Sequence, residues 1–225
     1  MNKSTKPKFP IVIGVVGGVA SGKSTLTDLL RENGAKVITA DKIGHEVLKE
    51  ANIVRKLHDL FGNEIFKNDS LGKENDQNET NTEPIGVIDR KKLGELVFGE
   101  TEPQRARRKQ LESIVHPRIR EIAKDQLELL RTEPNLKYIV LDAPLLIEGG
   151  WITYCNKVVF LETSASLRKD WAMARGWSQK EWEYREAAQL ALDVKRSYAT
   201  DILINAGTMS QLKIDVECML DRWNN

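Results

Sequence analysis

The 225-residue chain contains little cysteine, only Cys155 and Cys218. Two cysteines cannot build a disulfide framework, and without a Cys-x-x-Cys pair the chain lacks the usual spacing of a thiolate metal site. We therefore interpret both residues as small, buried thiols of a protein that stays reduced. This usage predicts a cytoplasmic location.

Long hydrophobic runs are also missing. Near the start of the chain, the only apolar run covers residues 11–16. It is too short and too closely flanked by glycine for a membrane span or the core of a signal peptide. We therefore expect no membrane partner.

The chain has no excess of charge of either sign. Lys and Arg together number 34 and Asp and Glu 33, so the formal net charge is +1. That balance excludes a globally basic nucleic-acid binder and an acidic solvating tail. The short basic run 104–109 lies beside Glu102 and Glu112, so we interpret it as a solvated helix face. We expect no nucleic acid among the partners.

Short strand patterns alternate with longer helical patterns along the sequence. Residues 11–16 form a continuous, mostly β-branched run that ends at Gly17, typical of a strand buried on both faces of a parallel sheet. Residues 25–32 have helical spacing and a stop at Gly34. Four further strands are predicted over 35–40, 138–141, 157–161 and 201–204. The order predicts an α/β fold on a five-stranded, mainly parallel sheet.

Residues 68–83 break this alternation. Leu71 is their only large apolar residue, so the segment cannot bury enough surface to offset its ordering entropy. We predict a mobile surface insertion there and a flexible N-terminus over 1–8. The rest of 9–225 is predicted to be a single domain.

The residues after the first predicted strand match the phosphate-binding pattern G-x-x-x-x-G-K-[ST]. This P-loop, residues 17–24, lies between a buried strand and an amphipathic helix, as its mechanism requires. Its glycines let the backbone wrap around phosphate, and N–H groups at the helix N-terminus stabilise the negative charge. We expect ATP to contact Gly18, Val19, Ala20, Ser21, Gly22, Lys23, Ser24 and Thr25. Lys23 can reach the β- and γ-phosphates, and the Ser24 hydroxyl can be a ligand of Mg²⁺.

Other classes with related motifs fit poorly. A GTPase needs a guanine-reading Asn-Lys-x-Asp, and the nearest segment, residues 156–159, lacks the Asp. Residues 41–44 match only the four-letter switch pattern D-x-x-G. A zinc-protease pattern fails because Lys49 stands where a second histidine would be needed.

Asp41 follows the second predicted strand. The helix after the P-loop advances about 16 Å and the next strand returns roughly 20 Å, so Asp41 is expected at the edge of the sheet that carries the P-loop. A carboxylate there can orient an acceptor hydroxyl and take its proton. Alternatively, Asp41 is only the N-cap of a helix that starts at Lys42. Farther along, residues 138–142 form an apolar strand ending in Asp142, the general form of a Walker B element.

Six ordered motifs resemble the dephospho-CoA kinase family, whose members are P-loop kinases related to nucleoside-monophosphate kinases. After the P-loop come Thr39-Ala40-Asp41, similar to D-A-D, and Ile88-Asp89-Arg90, similar to the start of L-D-R-x-x-L-x-x-x-V-F. Residues 114–120 are similar to I-x-H-P-x-I-R, residues 142–148 to D-x-P-L-L-x-E, and residues 178–207 to the closing pattern. Residues 175–178 are one residue shorter than the family's R-D-G-x-S.

The resemblance implies a three-layer P-loop kinase fold, with a helical acceptor-side region at about 85–130 and a helical lid at about 165–195. It also implies transfer of the ATP γ-phosphoryl group to the ribose 3′-hydroxyl of dephospho-CoA. Lys23, Asp41 and a lid arginine would be catalytic, with Arg175 and Arg185 as candidates ahead of Arg168. The residues implied to contact the acceptor are Asp41, Arg90, His116, Arg120 and Leu145.

Three functional hypotheses remain open at this stage. The first is a dephospho-CoA kinase, the second a kinase for another small hydroxyl acceptor, and the third a nucleotide-binding regulator with negligible turnover. The small-molecule partners of the first are ATP, Mg²⁺ and dephospho-CoA, and the chain would be a monomer or small homo-oligomer. We also expect Pro117 to break the helix that carries His116, and Trp171, Trp177 and Trp182 to pack the lid.

Overall fold

The computed structural model describes residues 9–67, 86–99 and 101–224. The chain divides into two compact units, which we call the sheet unit (Met1–Ala40 and Gln126–Asn225) and the helical unit (Asp41–Asp125). The predicted flexible N-terminus, 1–8, and the predicted insertion, 68–83, lie outside the described residues.

Five strands make one sheet in the sheet unit. They are β1 (Ile11–Gly17), β2 (Lys36–Thr39), β3 (Tyr138–Asp142), β4 (Lys157–Glu162) and β5 (Asp201–Ile204). Their order in the sheet is β2-β3-β1-β4-β5, and every neighbouring pair is parallel. This confirms the predicted five-stranded parallel sheet. All five predicted strands are present, with bounds that differ by at most one residue at either end.

Helices connect the strands. In chain order they are α1 (Lys23–Glu32), α2 (Ala40–Val47), α3 (Ala51–Phe61), α4 (Arg90–Val97), α5 (Glu102–Arg131), α6 (Ala165–Ala174), α7 (Gln179–Ala187), α8 (Leu192–Ser197) and α9 (Met209–Asn224). Short 3₁₀ turns cover Gly62–Ile65 and Trp151–Tyr154. Because α2 begins at Ala40, Asp41 lies within its first turn, and the prediction of an N-cap before Lys42 is wrong in position.

The core of the sheet unit fixes the edge from which the P-loop emerges. Side chains of β1, β3 and β4 pack with α1 and α9 in one apolar cluster that includes Ile13, Leu26, Val140, Leu161 and Met219. Each such side chain contributes about 1.5–3 kcal/mol when fully buried. Strand β1 is also paired with β3 on one side and β4 on the other, so the position at which the P-loop leaves β1 at Gly17 is fixed.

In the helical unit, α5 runs continuously through Pro117, so the predicted break at this residue is wrong. A proline removes one helical hydrogen bond and costs about 3 kcal/mol within a helix. The turns around it provide compensation, because Val115 and Ala123 are buried. Immediately after the proline, Nε of Arg118 donates to both carboxylate oxygens of Glu50, at 3.1 and 2.9 Å.

Two features noted in the composition, apolar runs and cysteines, can be located in the structure. No helix in the described ranges is long and apolar enough to cross a membrane. Cys155 is half-buried, and burial raises the pKa of its thiol to about 12, so it is protonated near neutral pH. Cys218 is exposed on α9, and its predicted burial is wrong. The cytoplasmic location stays a prediction.

Candidate active site

The P-loop contains residues with positive φ, a backbone conformation that glycine adopts easily and other residues rarely adopt. Gly22 has φ +91° immediately before α1, and Ala20 has φ +61° although it carries a side chain. A Cβ at position 22 would lie 2.6 Å from Nδ2 of Asn205, so this position requires glycine for space as well as for conformation. Ala20 in the left-handed region costs roughly 1–2 kcal/mol, a strain that the surrounding contacts must offset.

Bonds to its carbonyl and amide groups hold the loop in this shape. The Ser21 carbonyl oxygen accepts from Oγ1 of Thr163 at 2.9 Å and from Nδ2 of Asn205 at 3.0 Å. Thr163 follows β4 and Asn205 follows β5, so the ends of two neighbouring strands secure one loop carbonyl. Contacts from the protein itself thus fix this part of the loop, which limits the entropy that ligand binding must remove.

The side chain of Lys23 folds back onto the P-loop. Its Nζ donates to the carbonyl oxygens of Gly17 at 3.2 Å and Gly18 at 2.7 Å. Burial first and the cation of Lys195 second lower the pKa of Lys23, which is about 8 although Glu186 and Asp142 act in the opposite direction. Lys195 is itself buried, and burial lowers its pKa too.

This lowered pKa predicts proton uptake when ATP binds. At about pH 8 roughly half of the ligand-free molecules have a neutral Lys23, and the phosphates should raise its pKa back above that pH. We expect Mg²⁺-ATP binding to take up about half a proton near pH 8 and almost none through Lys23 near pH 6.5. Titration calorimetry in two buffers of different ionisation enthalpy measures this number. An uptake at pH 8 no larger than at pH 6.5 would contradict the assignment.

The three arginines of the predicted lid have different surroundings. Arg168 is buried, pairs with Glu186 and covers Gly18, where a Cβ would meet its guanidinium. Arg185 is more exposed, pairs with Glu181 at 2.9 Å and stacks on Trp177 with its Cζ 4.2 Å from the ring centroid. Arg175, the leading sequence candidate, lies exposed at the end of α6.

A cavity of about 360 Å³ opens beside the P-loop. Its walls come from the loop, α6, the segment after β5 and α9, and are formed by Gly22, Thr25, Trp171, Ala174, Arg175, Asn205, Gly207, Met209 and Leu212. Its volume lies within the range of about 300–1,000 Å³ found for small-molecule sites. An indole and a guanidinium on one wall are groups that stack on a planar base.

Ser24, the predicted metal ligand, and Asp142, the end of the Walker B-like strand, both lie in the sheet unit. Ser24 is exposed in the first turn of α1, and its hydroxyl makes no hydrogen bond within the part of the chain that the structure describes. Asp142 ends β3, where it pairs in register with Thr39 of β2, and its charge raises the pKa of Lys23. The carboxylate of Asp142 therefore acts electrostatically on the P-loop lysine, and its interpretation as a Walker B element stays a prediction.

Most acceptor-side predictions fall in the helical unit. Asp41 is exposed in α2, and Nη1 of Arg90 lies 2.6 Å from Nε2 of His45. His116 and Arg120 are exposed on α5, four residues apart and therefore on one helix face. Leu145, by contrast, belongs to the sheet unit and is half-buried after β3.

Sequence reasoning missed residues that hold the loop rather than contact a ligand. The carboxylate of Glu186 accepts from the Val19 N–H at 2.9 Å, and Thr163 donates to Ser21, but neither lies in a local motif. Their partners are 167 and 142 residues away in the chain. No spacing rule could have paired them.

Comparisons with known proteins agree on one family. The sequence profile of the dephospho-CoA kinase family matches residues 11–211. A dephospho-CoA kinase of Rhodopirellula baltica is 33% identical over 214 residues, 95% of this chain and 91% of the relative. The crystal structure of TT1252 from Thermus thermophilus is 30% identical with a TM-score of 0.72 and covers 96% of this chain and 100% of its own. Dephospho-CoA kinase from Campylobacter jejuni is 27% identical with a TM-score of 0.61, over 95% and 97% of the two chains.

Proposed function

The chain belongs to the dephospho-CoA kinase family and catalyses the last step of coenzyme A biosynthesis, and we propose here which of its residues carry the phosphoryl transfer. The observation that supports the assignment most is the P-loop itself. Its Lys23 bonds only to loop carbonyls among the described residues, beside a cavity that can take a base.

ATP binds with its phosphates on the P-loop and its base in the cavity. Within the described chain, no side chain accepts a hydrogen bond from the N–H groups of Lys23, Ser24 or Thr25 at the start of α1. These donors and the helix dipole suit a phosphate. Gly22 belongs to the loop, Thr25 lies in the first turn of α1 directly after it, and both line the cavity, so one nucleotide can reach the loop and the cavity. Trp171 and Arg175 then lie beside the base.

The residues present fit a magnesium ion that arrives with the nucleotide. Mg²⁺ prefers oxygen ligands, keeps several waters and is usually bound through one or two carboxylates together with substrate phosphates. Among the described residues the Ser24 hydroxyl has no hydrogen-bond partner, and the carboxylate of Asp142 acts electrostatically on Lys23, the residue before Ser24. We propose Ser24 as a ligand and Asp142 as the supporting carboxylate. When bound, the ion would neutralise charge on the phosphates.

Lys23 and a lid arginine stabilise the charge that spreads over the transferred phosphoryl group. Phosphoryl transfer needs positioning and electrostatic stabilisation more than covalent participation. Lys23 is protonated at neutral pH because the lowered pKa is still about 8. Arg175 and Arg185 both have exposed guanidinium groups that can turn toward a bound nucleotide. Arg175 remains our first candidate.

Asp41 is the proposed base for the ribose 3′-hydroxyl of dephospho-CoA. It follows β2 by two residues, and β2 ends in register with Asp142 at the carboxyl edge of the sheet, where ligands bind in open α/β folds. The remaining acceptor contacts that we propose are Arg90, His116, Arg120 and Leu145. Their support is the motif resemblance, together with exposed cationic and imidazole side chains that suit a phosphorylated acceptor.

A bulky side chain at position 174 tests the proposed base site. Ala174 lines the cavity and is exposed, so Ala174→Phe should fill the cavity without disturbing the core. We expect the KM for ATP to rise about 10-fold or more, because a base excluded from its site loses roughly 1.4 kcal/mol or more of binding. The KM for dephospho-CoA should change less than about two-fold.

Ala165→Phe is the matched control, since Ala165 is exposed at the other end of the same helix and does not line the cavity. Its KM for ATP should equal that of the parent enzyme. If Ala174→Phe also leaves the KM for ATP unchanged, the base lies elsewhere.

A further inference from the structure

Helix α7 holds the P-loop residue Val19 at both of its backbone polar groups. The Val19 N–H donates to Oε2 of Glu186 at 2.9 Å. The Val19 carbonyl oxygen accepts from Nε1 of Trp182 at 3.4 Å. Trp182 and Glu186 are four residues apart, so one face of the helix makes both contacts.

The same carboxylate is fixed from its other side. Its second oxygen pairs with Nη1 of Arg168, whose side chain is only 5% exposed. Nε of Arg168 donates to the Thr163 carbonyl oxygen at 3.2 Å, and the guanidinium lies 5.5 Å from the ring centroid of Trp182. Glu186 therefore bridges a loop amide and a buried, well-anchored cation.

A carboxylate that contacts a phosphate-binding loop can have either of two opposite effects on ATP binding. It can imitate phosphate and compete with ATP, or it can fix the loop in the shape that ATP needs. The contacts of Glu186 indicate that it fixes the loop and does not compete with ATP. Glu186 accepts from Val19 in the middle of the loop, while the N–H groups at the start of α1 donate to no side chain within the described residues. The negative charge of Glu186 is also paired with Arg168, so Lys23 is not the only cation with which it interacts.

We propose that Glu186 is a positioning residue for phosphoryl transfer: as acceptor for the Val19 N–H, oriented by Arg168, it sets the P-loop and ties the lid helix to it. Arg185 is its neighbour in α7, so the same anchor also limits where that guanidinium can move. This inference rests on the proposed function of the P-loop as the ATP site. A misplacement of about 1 Å at such a site can reduce the rate 100-fold.

Three substitutions separate the acceptor from the charge. Glu186→Gln keeps an oxygen acceptor for Val19, Glu186→Asp keeps the charge but withdraws it by one methylene, and Glu186→Ala loses both. We expect kcat to fall about 10-fold or more in the Ala and Asp variants and less than about three-fold in the Gln variant. The dissociation constant for Mg²⁺-ATP should stay within about three-fold of the parent value in all three.

Glu183→Gln is the control, because Glu183 lies exposed on the same helix and, in the part of the chain that the structure describes, accepts from Gln179 alone. An Asp variant as active as the parent, or a Gln variant as impaired as Ala, would overturn the proposal, and so would ATP binding that tightens about 10-fold in Glu186→Ala. If the Ala variant does not fold, the kcat values of the Glu186→Gln and Glu186→Asp variants still test the proposal. The same order is expected for slow ATP hydrolysis without acceptor, so a failure of the parent enzyme on dephospho-CoA would count against the proposed function alone.

Discussion

Asp41→Asn should lower kcat for dephospho-CoA by 100-fold or more while ATP still binds. The substitution keeps the size and hydrogen-bonding capacity of the side chain but removes its ability to accept the hydroxyl proton, and general base catalysis typically contributes about 10²–10⁴-fold. A loss of 100-fold corresponds to about 2.7 kcal/mol of transition-state stabilisation. The measurement is kcat and both KM values from initial rates.

An exposed aspartate of the same unit provides the control. Asp59 lies on α3 with a side chain that is 79% exposed, so Asp59→Asn makes the same change of charge on another helix of that unit. Its kcat should match that of the parent enzyme. If Asp41→Asn retains near-normal turnover, Asp41 serves only the first turn of α2, where an acidic side chain favours the helix dipole.

Lys23→Ala should damage the use of ATP itself. The substitution removes a cation that donates to the P-loop carbonyls of Gly17 and Gly18, and with it the charge that we propose to face the transferred phosphoryl group. A charge-assisted contact of this kind contributes several kcal/mol in a water-poor site. We expect kcat/KM for ATP to fall about 10³-fold or more, which corresponds to roughly 4 kcal/mol.

Lys23→Ala should also change how the stability of the protein depends on pH. The depressed pKa shows that the folded state holds the charged lysine at a cost, so the parent protein gains stability as the pH rises from about 8 toward 10.5. Lys23→Ala should lose that part of the pH dependence. Lys213→Ala, an exposed change on α9, is the control for both readouts. A Lys23→Ala enzyme with parental kcat/KM for ATP would remove Lys23 from the transfer step.

Much of the sheet could be predicted because each strand is encoded locally. The run 11–16 is continuous and β-branched, and the glycines after it leave few alternatives to a turn into a helix. Pro117 is the counterexample. Its local preference is to break a helix, but burial of Val115 and Ala123 and the Arg118–Glu50 pair favour continuation. Tertiary contacts outweighed the local preference, and no pattern in the sequence states them.

The residues of the candidate site also separate into those that a local pattern predicts and those that only tertiary contacts bring together. The residues that we propose to face phosphate could be picked out in the sequence because their spacing is fixed by the shape of one loop. Those that hold the loop were not, since Thr163, Asn205 and Glu186 come to it from distant segments. Arg168 shows the difference most clearly. It was ranked behind the other lid arginines, yet its guanidinium is the one that covers Gly18.

The central claim is that this P-loop site transfers the ATP γ-phosphoryl group to dephospho-CoA. Incubation with γ-labelled ATP, Mg²⁺ and a panel of hydroxyl acceptors, followed by identification of the labelled product, tests it directly. We predict label on dephospho-CoA, at the ribose 3′-oxygen, with kcat/KM well above that for any other acceptor in the panel. Turnover of a different acceptor without dephospho-CoA, or nucleotide binding without any transfer, would contradict it.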